Sequence, residues 1–93
     1  AIVQSEAALG PYGAMDTGGF VTAFMLTATA LGVGTIAQAS VAAYAPMIRA
    51  HFDLPESRLI LCAISFGLPD MDHPTNTFRT SRAGLDEVLD LRG

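Results

Sequence analysis

The feature that most constrains this chain is the run from Thr17 to Ile48, 32 residues without a charged side chain. About 20 apolar residues are enough for a helix to span a bilayer, so a membrane segment is one interpretation. Threonines recur through the run, however, Gly32 and Gly34 divide it, and no cluster of Lys or Arg flanks it to set an orientation. The pattern favours the buried centre of a globular or dimeric protein over a membrane helix.

Composition indicates that something outside the chain covers this apolar surface. Hydrophobic residues make up 51% of the 93 residues and charged residues only 15%. A domain of this size buries only about 60 to 65% of the surface of its unfolded chain, so it needs a charged exterior to stay soluble alone. We therefore expect a partner chain, a missing segment, or both. The first residue is Ala1 rather than Met, and the strand-like AIVQ suggests a start in or just before an element.

Charge and cysteine usage exclude some classes of function. The net charge is −4 and the five basic residues are scattered arginines, so a general nucleic-acid surface is not expected. Cys62 is the single cysteine, which rules out an internal disulfide and fits a reducing cytoplasm. It lies in an apolar run with no basic neighbour, and we expect a small buried hydrophobe rather than a reactive thiol.

Local patterns in the first third of the chain predict a strand followed by a long helix. Residues 1–5 are expected to be the end of a strand, and the Gly- and Pro-containing residues 6–15 a turn-rich connection. Asp16 or Thr17 is expected to cap a helix that runs to about Leu31. This helix is apolar nearly all round, which is typical of a central helix contacted on every side.

A second helix is predicted after a short connection. Gly32 is expected to end the first helix, since glycine adopts the positive φ of this position at no cost. Residues 33–39 are then irregular or a short extended segment. Ser40 is expected to cap a helical piece that continues to about Phe52, with Pro46 either kinking it or standing in the first turn of its regular part.

The last third is predicted to contain one buried strand and an exposed tail. Residues 58–66 are almost wholly apolar, the pattern of a strand buried on both faces. Gly67 and Pro69 are expected to end it, and residues 69–77 to form an exposed loop. Residues 85–91 mix apolar and acidic side chains and are expected to form a short helix or an extended arm.

Two glycine-containing stretches are candidate ligand contacts. Gly32 to Ala37 fits the loose pattern GxGxxG/A, but a dinucleotide site needs a strand before the pattern and a helix opening inside it, whereas here a helix precedes it. Residues 36–41 combine small side chains with backbone N–H groups that can approach a planar ring. A tight turn between two helices is an equal alternative for this stretch.

Arg79 and Arg82, separated by Thr80 and Ser81, form the only local concentration of positive charge. Guanidinium groups donate in pairs and hydroxyls complete the shell, so the group suits a phosphate. Solvated surface charge is the alternative.

The remaining polar residues give no metal or hydrolytic site. His51 and His73 have no Cys or carboxylate at ligand spacing. Asp70 and Asp72 are expected to be solvated loop acids, and no Ser/His/acid set stands out. We therefore predict no metal.

Taken in order, these segments resemble the C-terminal half of the nitroreductase family of flavin enzymes, closest to the branch acting on nitroaromatic acids. The segments are ALGVGT, AQAS, DLP, LILCAISFGLPD and NTFRTSRAGLDEV, and the resemblance covers essentially all 93 residues. It implies a partial nitroreductase-like α+β fold, with a central apolar dimer helix, a buried strand and a C-terminal arm. Residues 1–93 would be the C-terminal portion of a single domain whose N-terminal half, with its FMN-gripping arginines, is absent.

The resemblance also implies a function. Members are homodimers that bind FMN at the subunit interface, take a hydride from NADH or NADPH, and pass electrons to nitroaromatics or quinones in a ping-pong cycle. Thr17 to Leu31 would form the dimer core. The implied partners are a second copy, the missing N-terminal half, or both, with small-molecule substrates and with neither nucleic acid nor membrane.

The resemblance assigns five cofactor contacts to this chain. Gln38, Ala39 and Ser40 would offer backbone to the flavin ring. Arg82 in first place and Arg79 in second would hold the FMN phosphate. No catalytic side chain and no metal are assigned, since the flavin carries the redox step. The alternative is a catalytically inactive dimerisation fragment without flavin, for which a colourless dimer is expected.

Overall fold

The computed structural model describes residues 1–90 and 92. Three strands form an antiparallel sheet in the order β1-β3-β2, with β3 in the centre. The elements in chain order are β1 (Ile2–Glu6), α1 (Gly10–Ala30), β2 (Gly34–Gln38), α2 (Ala45–Phe52), β3 (Arg58–Gly67) and α3 (Leu85–Val88), with 3₁₀ helices at Ala7–Leu9, Ala39–Tyr44 and Pro74–Thr77. The predicted α+β class is confirmed.

The first strand was predicted correctly, but the start of α1 was not. The helix begins at Gly10, so the cap at Asp16 or Thr17 and the turn-rich connection over residues 6–15 are wrong. A proline stands in the first helical turn, where its fixed φ is suited and its missing N–H is not needed. Gly13 allows close packing, since a Cβ there would lie 2.5 Å from Ser5 Oγ. Pro11 and Gly13 therefore belong to the start of the helix and not to a loop.

The end of α1 follows the prediction. Gly32 has a φ of +76°. Its N–H donates to the Thr29 carbonyl at 3.0 Å, and the Val33 N–H donates to the Ala28 carbonyl at 2.9 Å. These two bonds form a Schellman motif, which satisfies carbonyls at the helix end and turns the chain into β2.

The connection to α2 was predicted correctly in part, but the predicted helix cap at Ser40 is wrong. Of the two alternatives for residues 33–39, the extended one is confirmed by β2. Ser40 does not cap a helix: it lies inside a 3₁₀ helix whose preceding residue makes no side-chain cap bond. The α-helix starts at Ala45 with Pro46 in its first turn, which confirms the second alternative for the proline. The prolyl ring, not a serine hydroxyl, defines this helix start.

Strand β3 is central, but it is buried only in its middle. Ile60, Ala63 and Ile64 are 5%, 8% and 1% exposed, whereas Leu59 and Phe66 are 40% and 58% exposed. The expectation of a strand buried on both faces is therefore wrong for its ends, because the described elements cover only the centre of the sheet. The strand also carries Cys62, which is half-buried and free.

Helix α1 packs one face on the sheet and leaves the opposite face open. Thr17, Phe24 and Ala28 are half-buried on the inner face, whereas Met15 and Leu26 are 70% and 67% exposed. The prediction that α1 is contacted on every side is therefore wrong for the described residues, which cover only its inner face. Over residues 1–90 and 92, no helix is both long enough and apolar enough to cross a bilayer.

Two threonine hydroxyls on the outer side of α1 are satisfied within the helix. Thr22 Oγ1 donates to the Gly18 carbonyl at 3.0 Å, and Thr29 Oγ1 donates to the Met25 carbonyl at 2.8 Å. Because these hydroxyl protons are already bonded, the exposed side of the helix is less polar than its composition indicates. Such a surface suits burial against protein.

The loop over residues 69–77 is exposed as predicted, except at Asn76, which is half-buried. Helix α3 confirms the short-helix alternative over Leu85–Val88. Leu91, the end of the predicted tail element, lies outside the described residues.

Candidate functional site

Gln38 lies where β2 ends and is held to the central strand. Its Cα is in register with Ala63 of β3, and Ser65 Oγ donates a hydrogen bond of 3.2 Å to Gln38 Oε1. This side-chain bond fixes the end of β2 just before the chain turns. The backbone that follows therefore leaves the sheet from a defined position.

Ala39 and Ser40 are the first two residues of the 3₁₀ helix that follows β2. The first N–H groups of a helix have no partner inside it, and both side chains are small and exposed. Main chain here can approach a planar group closely. The alternative of a turn between two helices is wrong, since a strand enters this segment.

Arg79 is exposed, and of its three guanidinium nitrogens only Nη1 makes hydrogen bonds within the described residues. Its Nη1 donates to the carbonyl oxygens of Asn76 at 2.5 Å and Phe78 at 2.9 Å. Arginine has five N–H donors, so the Nε–H and the two Nη2–H groups are left for a ligand. These three donors form one side of the guanidinium fork.

Arg82 has the same arrangement. Its Nη1 donates to Thr80 Oγ1 and to the Ser81 carbonyl oxygen, so Nε and Nη2 again point away from local bonds. Among residues 1–90 and 92, ion pairs form at Arg58 and Arg92 but not at these two arginines. Their charge is therefore not neutralised by a neighbouring carboxylate, which suits an anionic ligand.

A hollow of about 310 Å³ lies near the predicted residues in sequence but is lined by others. It lies at the open end of the β2–β3 pair, and its walls include Gly34, Thr35, Ser65, Phe66, Pro69 and Asn76. The five predicted residues are not on its walls. Two of the five bond to residues that are on the walls: Ser65 donates to Gln38, and the Asn76 carbonyl oxygen accepts from Arg79. Within the described residues, no hydrogen bond joins Gln38, Ala39 or Ser40 to either arginine.

Sequence reasoning missed Ser65 and Asn76. Ser65 had a signal, since it is the one hydroxyl residue in the apolar run LILCAISF. Asn76 had none, because an asparagine between two threonines in a Pro-containing segment is ordinary loop composition.

A second, apolar groove of about 450 Å³ runs between α1 and the end of β3. Its walls include Phe20, Ala23, Thr27, Leu31, Val33 and Phe66. With Phe20 57% and Leu31 75% exposed, this groove is an apolar surface that the described chain does not cover.

The remaining candidates serve local structure. His73 Nδ1 accepts from the Thr75 N–H at 3.3 Å, and Asp70 Oδ1 accepts from the Asp72 N–H at 3.1 Å. His51 lies in the last turn of α2. Within the described part of the chain, no three His, Cys, Asp or Glu side chains form a group that could hold a metal ion.

Comparison with known sequences gives both a family and relatives. The model of the nitroreductase family matches residues 2–68. A 4-nitrobenzoate reductase of Nocardioides sp. is 35% identical over 72 residues, which are 77% of this chain and 29% of that protein. Nitroreductase NfnB of Mycolicibacterium smegmatis is 39% identical over 73 residues, 78% of this chain and 31% of that protein. The chain spans less than a third of the length of either relative.

Solved structures show the same relationship. The FMN and NADPH-dependent nitroreductase NfnB of Sphigopyxis sp. strain HMH matches with a TM-score of 0.91 and 28% identity, over 97% of this chain and 40% of that one. The FMN-dependent NfnB of Mycobacterium smegmatis, solved with NADPH, matches with a TM-score of 0.78 and 36% identity, over 86% of this chain and 36% of that one. The resemblance noted in the sequence is confirmed: the chain belongs to the nitroreductase family.

Proposed function

We propose that the chain is the C-terminal portion of an FMN-dependent oxidoreductase that uses NADH or NADPH to reduce nitroaromatic or quinone-type acceptors. The observation that carries this proposal is the likeness, over 97% of the chain, to an FMN and NADPH-dependent nitroreductase. The 4-nitrobenzoate reductase among its relatives favours a nitroaromatic acid as acceptor.

The donor set in this chain fits part of an FMN site. Ala39 and Ser40 offer helix-terminal N–H groups to the polar edge of a flat ring, and Gln38 is braced against β3 beside them. Arg79 and Arg82 each keep three N–H donors, the chemistry that a phosphate requires. The remaining contacts would come from the rest of the enzyme or from a second subunit.

The reaction balances as a two-electron transfer. FMN held by these residues would supply the redox chemistry, a two-electron transfer from the nicotinamide to the acceptor in a ping-pong cycle. In total, NAD(P)H, one proton and a nitro compound give NAD(P)⁺, a nitroso compound and water; a quinone gives a hydroquinone instead. The residues of this chain bind and orient the ring and the phosphate, and N–H groups near the ring stabilise negative charge that develops there.

We place the exposed face of α1 in a homodimer interface, against the rest of the enzyme, or both. Met15 and Leu26 on this face and Leu31 beside the apolar groove are each at least 67% exposed, which is costly unless protein covers them. The chain has one cysteine and no disulfide, and we place the enzyme in the cytoplasm.

The test is a visible absorption spectrum of the purified protein that contains this chain, repeated after NADPH is added without air. The expected result is a flavin band that bleaches with NADPH and returns when 4-nitrobenzoate or a quinone is added. Addition of NADP⁺ is the control and should leave the band unchanged. A colourless dimer that takes up no added FMN would overturn the proposal and favour the inactive dimerisation fragment.

A further inference from the structure

Asn76 is half-buried, whereas every other residue from Ser65 to Asp90 is exposed. All other residues of this segment, including the apolar Leu68 at 90% and Phe78 at 74%, face solvent. A half-buried asparagine among exposed apolar residues reverses the usual order of burial. Its position is therefore set by bonding and not by the hydrophobic effect.

Asn76 makes three hydrogen bonds in three directions. Its side-chain Nδ2 donates to the Asp70 carbonyl oxygen at 2.5 Å, and its backbone N–H donates to the His73 carbonyl oxygen at 2.9 Å. Its own carbonyl oxygen accepts from Arg79 Nη1 at 2.5 Å. The first two bonds close the loop between residues 70 and 76, and the third reaches the arginine beyond it.

Asn76 also lies beside the sheet, because it lines one hollow together with Gly34, Thr35 and Pro69. The loop that its bonds close therefore borders the β2–β3 end. Arg79 Nη1 donates to the Asn76 and Phe78 carbonyl oxygens, which leaves the Nε and Nη2 side for a ligand. A guanidinium tethered in this way loses less freedom on binding than an untethered one.

We propose that Asn76 is a positioning residue for the flavin phosphate, acting through the Asp70 carbonyl on one side and Arg79 on the other. This inference rests on the proposed function, since Arg79 must be a phosphate ligand for its orientation to matter. Asn76 itself touches no cofactor in this scheme. Its contribution is to the affinity for the phosphate and not to the affinity for the ring.

The experiment compares FMN with riboflavin, which has the ring but no phosphate, by fluorescence titration of the flavin-free protein that contains this chain. Asn76→Ala is expected to weaken FMN binding about three- to tenfold, the effect of one hydrogen bond, and to leave riboflavin binding unchanged. Asn76→Asp keeps the shape but cannot donate to Asp70 and adds a negative charge near the phosphate, so a loss of FMN affinity at least as large is expected, again without a loss for riboflavin; it also serves as the second variant should the alanine variant not fold.

Thr77→Ala is the matched control. Thr77 Oγ1 donates to the Pro74 carbonyl oxygen at 2.7 Å, so this variant also removes a side-chain bond from the loop, but one without a link to Arg79. Binding of both flavins should stay at the wild-type value. In an Arg79→Ala background, Asn76→Ala should cause no further loss of FMN affinity, because the group through which it acts is gone.

The possible outcomes distinguish a failure of the Asn76 inference from a failure of the proposed FMN site. Wild-type protein that binds no flavin, or that binds FMN no tighter than riboflavin, overturns the phosphate site and the inference with it. A loss of FMN affinity in Arg79→Ala but not in Asn76→Ala overturns the inference alone. An equal loss of FMN and riboflavin in the Asn76 variants also overturns it, since a merely structural role would weaken both.

Discussion

The ring of Phe24 in α1 meets the ring of Phe66 in β3 edge-to-face, with centroids 5.8 Å apart and planes inclined by 66°. Phe24 is half-buried and Phe66 is 58% exposed, so the pair lies at the rim of the helix–sheet contact. Aromatic pairs in this geometry contribute about 0.5 to 1.5 kcal/mol beyond the area that they bury. The pair therefore anchors the long helix to the end of the central strand.

Removing either ring should destabilise the protein, and the two effects should overlap. Phe24→Ala is expected to lower the free energy of unfolding by about 2 to 3 kcal/mol, less than for a fully buried phenylalanine. Phe66→Ala should cost about 1 to 2 kcal/mol, since more of its ring faces solvent. In chemical denaturation, the double variant should lose about 1 kcal/mol less than the sum of the two. Phe78→Ala, at an exposed ring, is the control; additive losses for the pair would contradict the contact.

Two glycines of α1 should respond to alanine with opposite sign. A Cβ on Gly13 would lie 2.5 Å from Ser5 Oγ and 2.7 Å from Leu9 Cβ, whereas a Cβ on Gly18 meets nothing within 4 Å. Gly13→Ala should therefore lower the free energy of unfolding by about 1 to 3 kcal/mol despite the better helix propensity. Gly18→Ala should raise it by about 0.5 to 1 kcal/mol. Thermal or urea unfolding measures both, and stabilisation by Gly13→Ala would show that α1 does not pack on β1 in this way.

The same glycine shows how far the fold could be predicted from the sequence. Strands β1 and β3 and the end of α1 follow from apolar runs and from Gly32, which are local signals, whereas β2 was only one of two alternatives for residues 33–39. The start of α1 does not, because Gly and Pro within residues 10–13 are typical both of a turn and of a helix start. The close approach of Gly13 to Ser5 of β1 favours the helix start, and this approach depends on the tertiary structure.

In the candidate site too, some features could be predicted from the sequence and others depend on the tertiary structure. Resemblance assigned Gln38 and the two arginines, but it could not give the bonds that hold them. Ser65 and Gln38 are 27 positions apart and meet only because β2 and β3 pair in one particular register. Asn76 acts through hydrogen bonds and not through hydrophobic pattern, so periodicity carries no information about it.

Two positive-φ positions should respond to opposite substitutions. Gly32 has a φ of +76° and Asp53 a φ of +52°. Left-handed backbone costs a residue with a Cβ about 1 kcal/mol or more relative to glycine, so Gly32→Ala should destabilise by about this amount. Asp53→Gly should stabilise by up to about 1 kcal/mol for the same reason. Gly67→Ala is the control for denaturation, because its Cβ would meet nothing within 4 Å and its φ is not positive.

A charge on the outer face of α1 should break the proposed interface. Leu26 is 67% exposed and lies opposite the sheet-facing side of the helix. Leu26→Glu would bury a carboxylate against a second copy, a severe penalty without a partner cation. Sedimentation should therefore show the dimer converted to monomer. Met71→Glu, at a residue 65% exposed in the loop, should leave the dimer intact; a dimer in both variants would place the interface elsewhere.

The arginine assignment predicts a specific loss of FMN. Arg82→Ala should reduce the affinity for FMN by about 1.5 to 3 kcal/mol, the contribution of a hydrogen bond to a charged group. Arg82→Lys keeps the charge but not the paired N–H donors, and an intermediate loss is expected.

Arg92→Ala is the matched control for Arg82→Ala, because the Arg92 side chain is 85% exposed and bonds Asp90 at 2.6 Å. Its flavin affinity should equal that of the wild type. Added salt should weaken FMN binding by the wild type more than by Arg82→Ala, since screening acts on the charge that the variant lacks. Unchanged flavin content and unchanged salt dependence in Arg82→Ala would remove this residue from the phosphate site and leave Arg79 as the cation that this chain contributes.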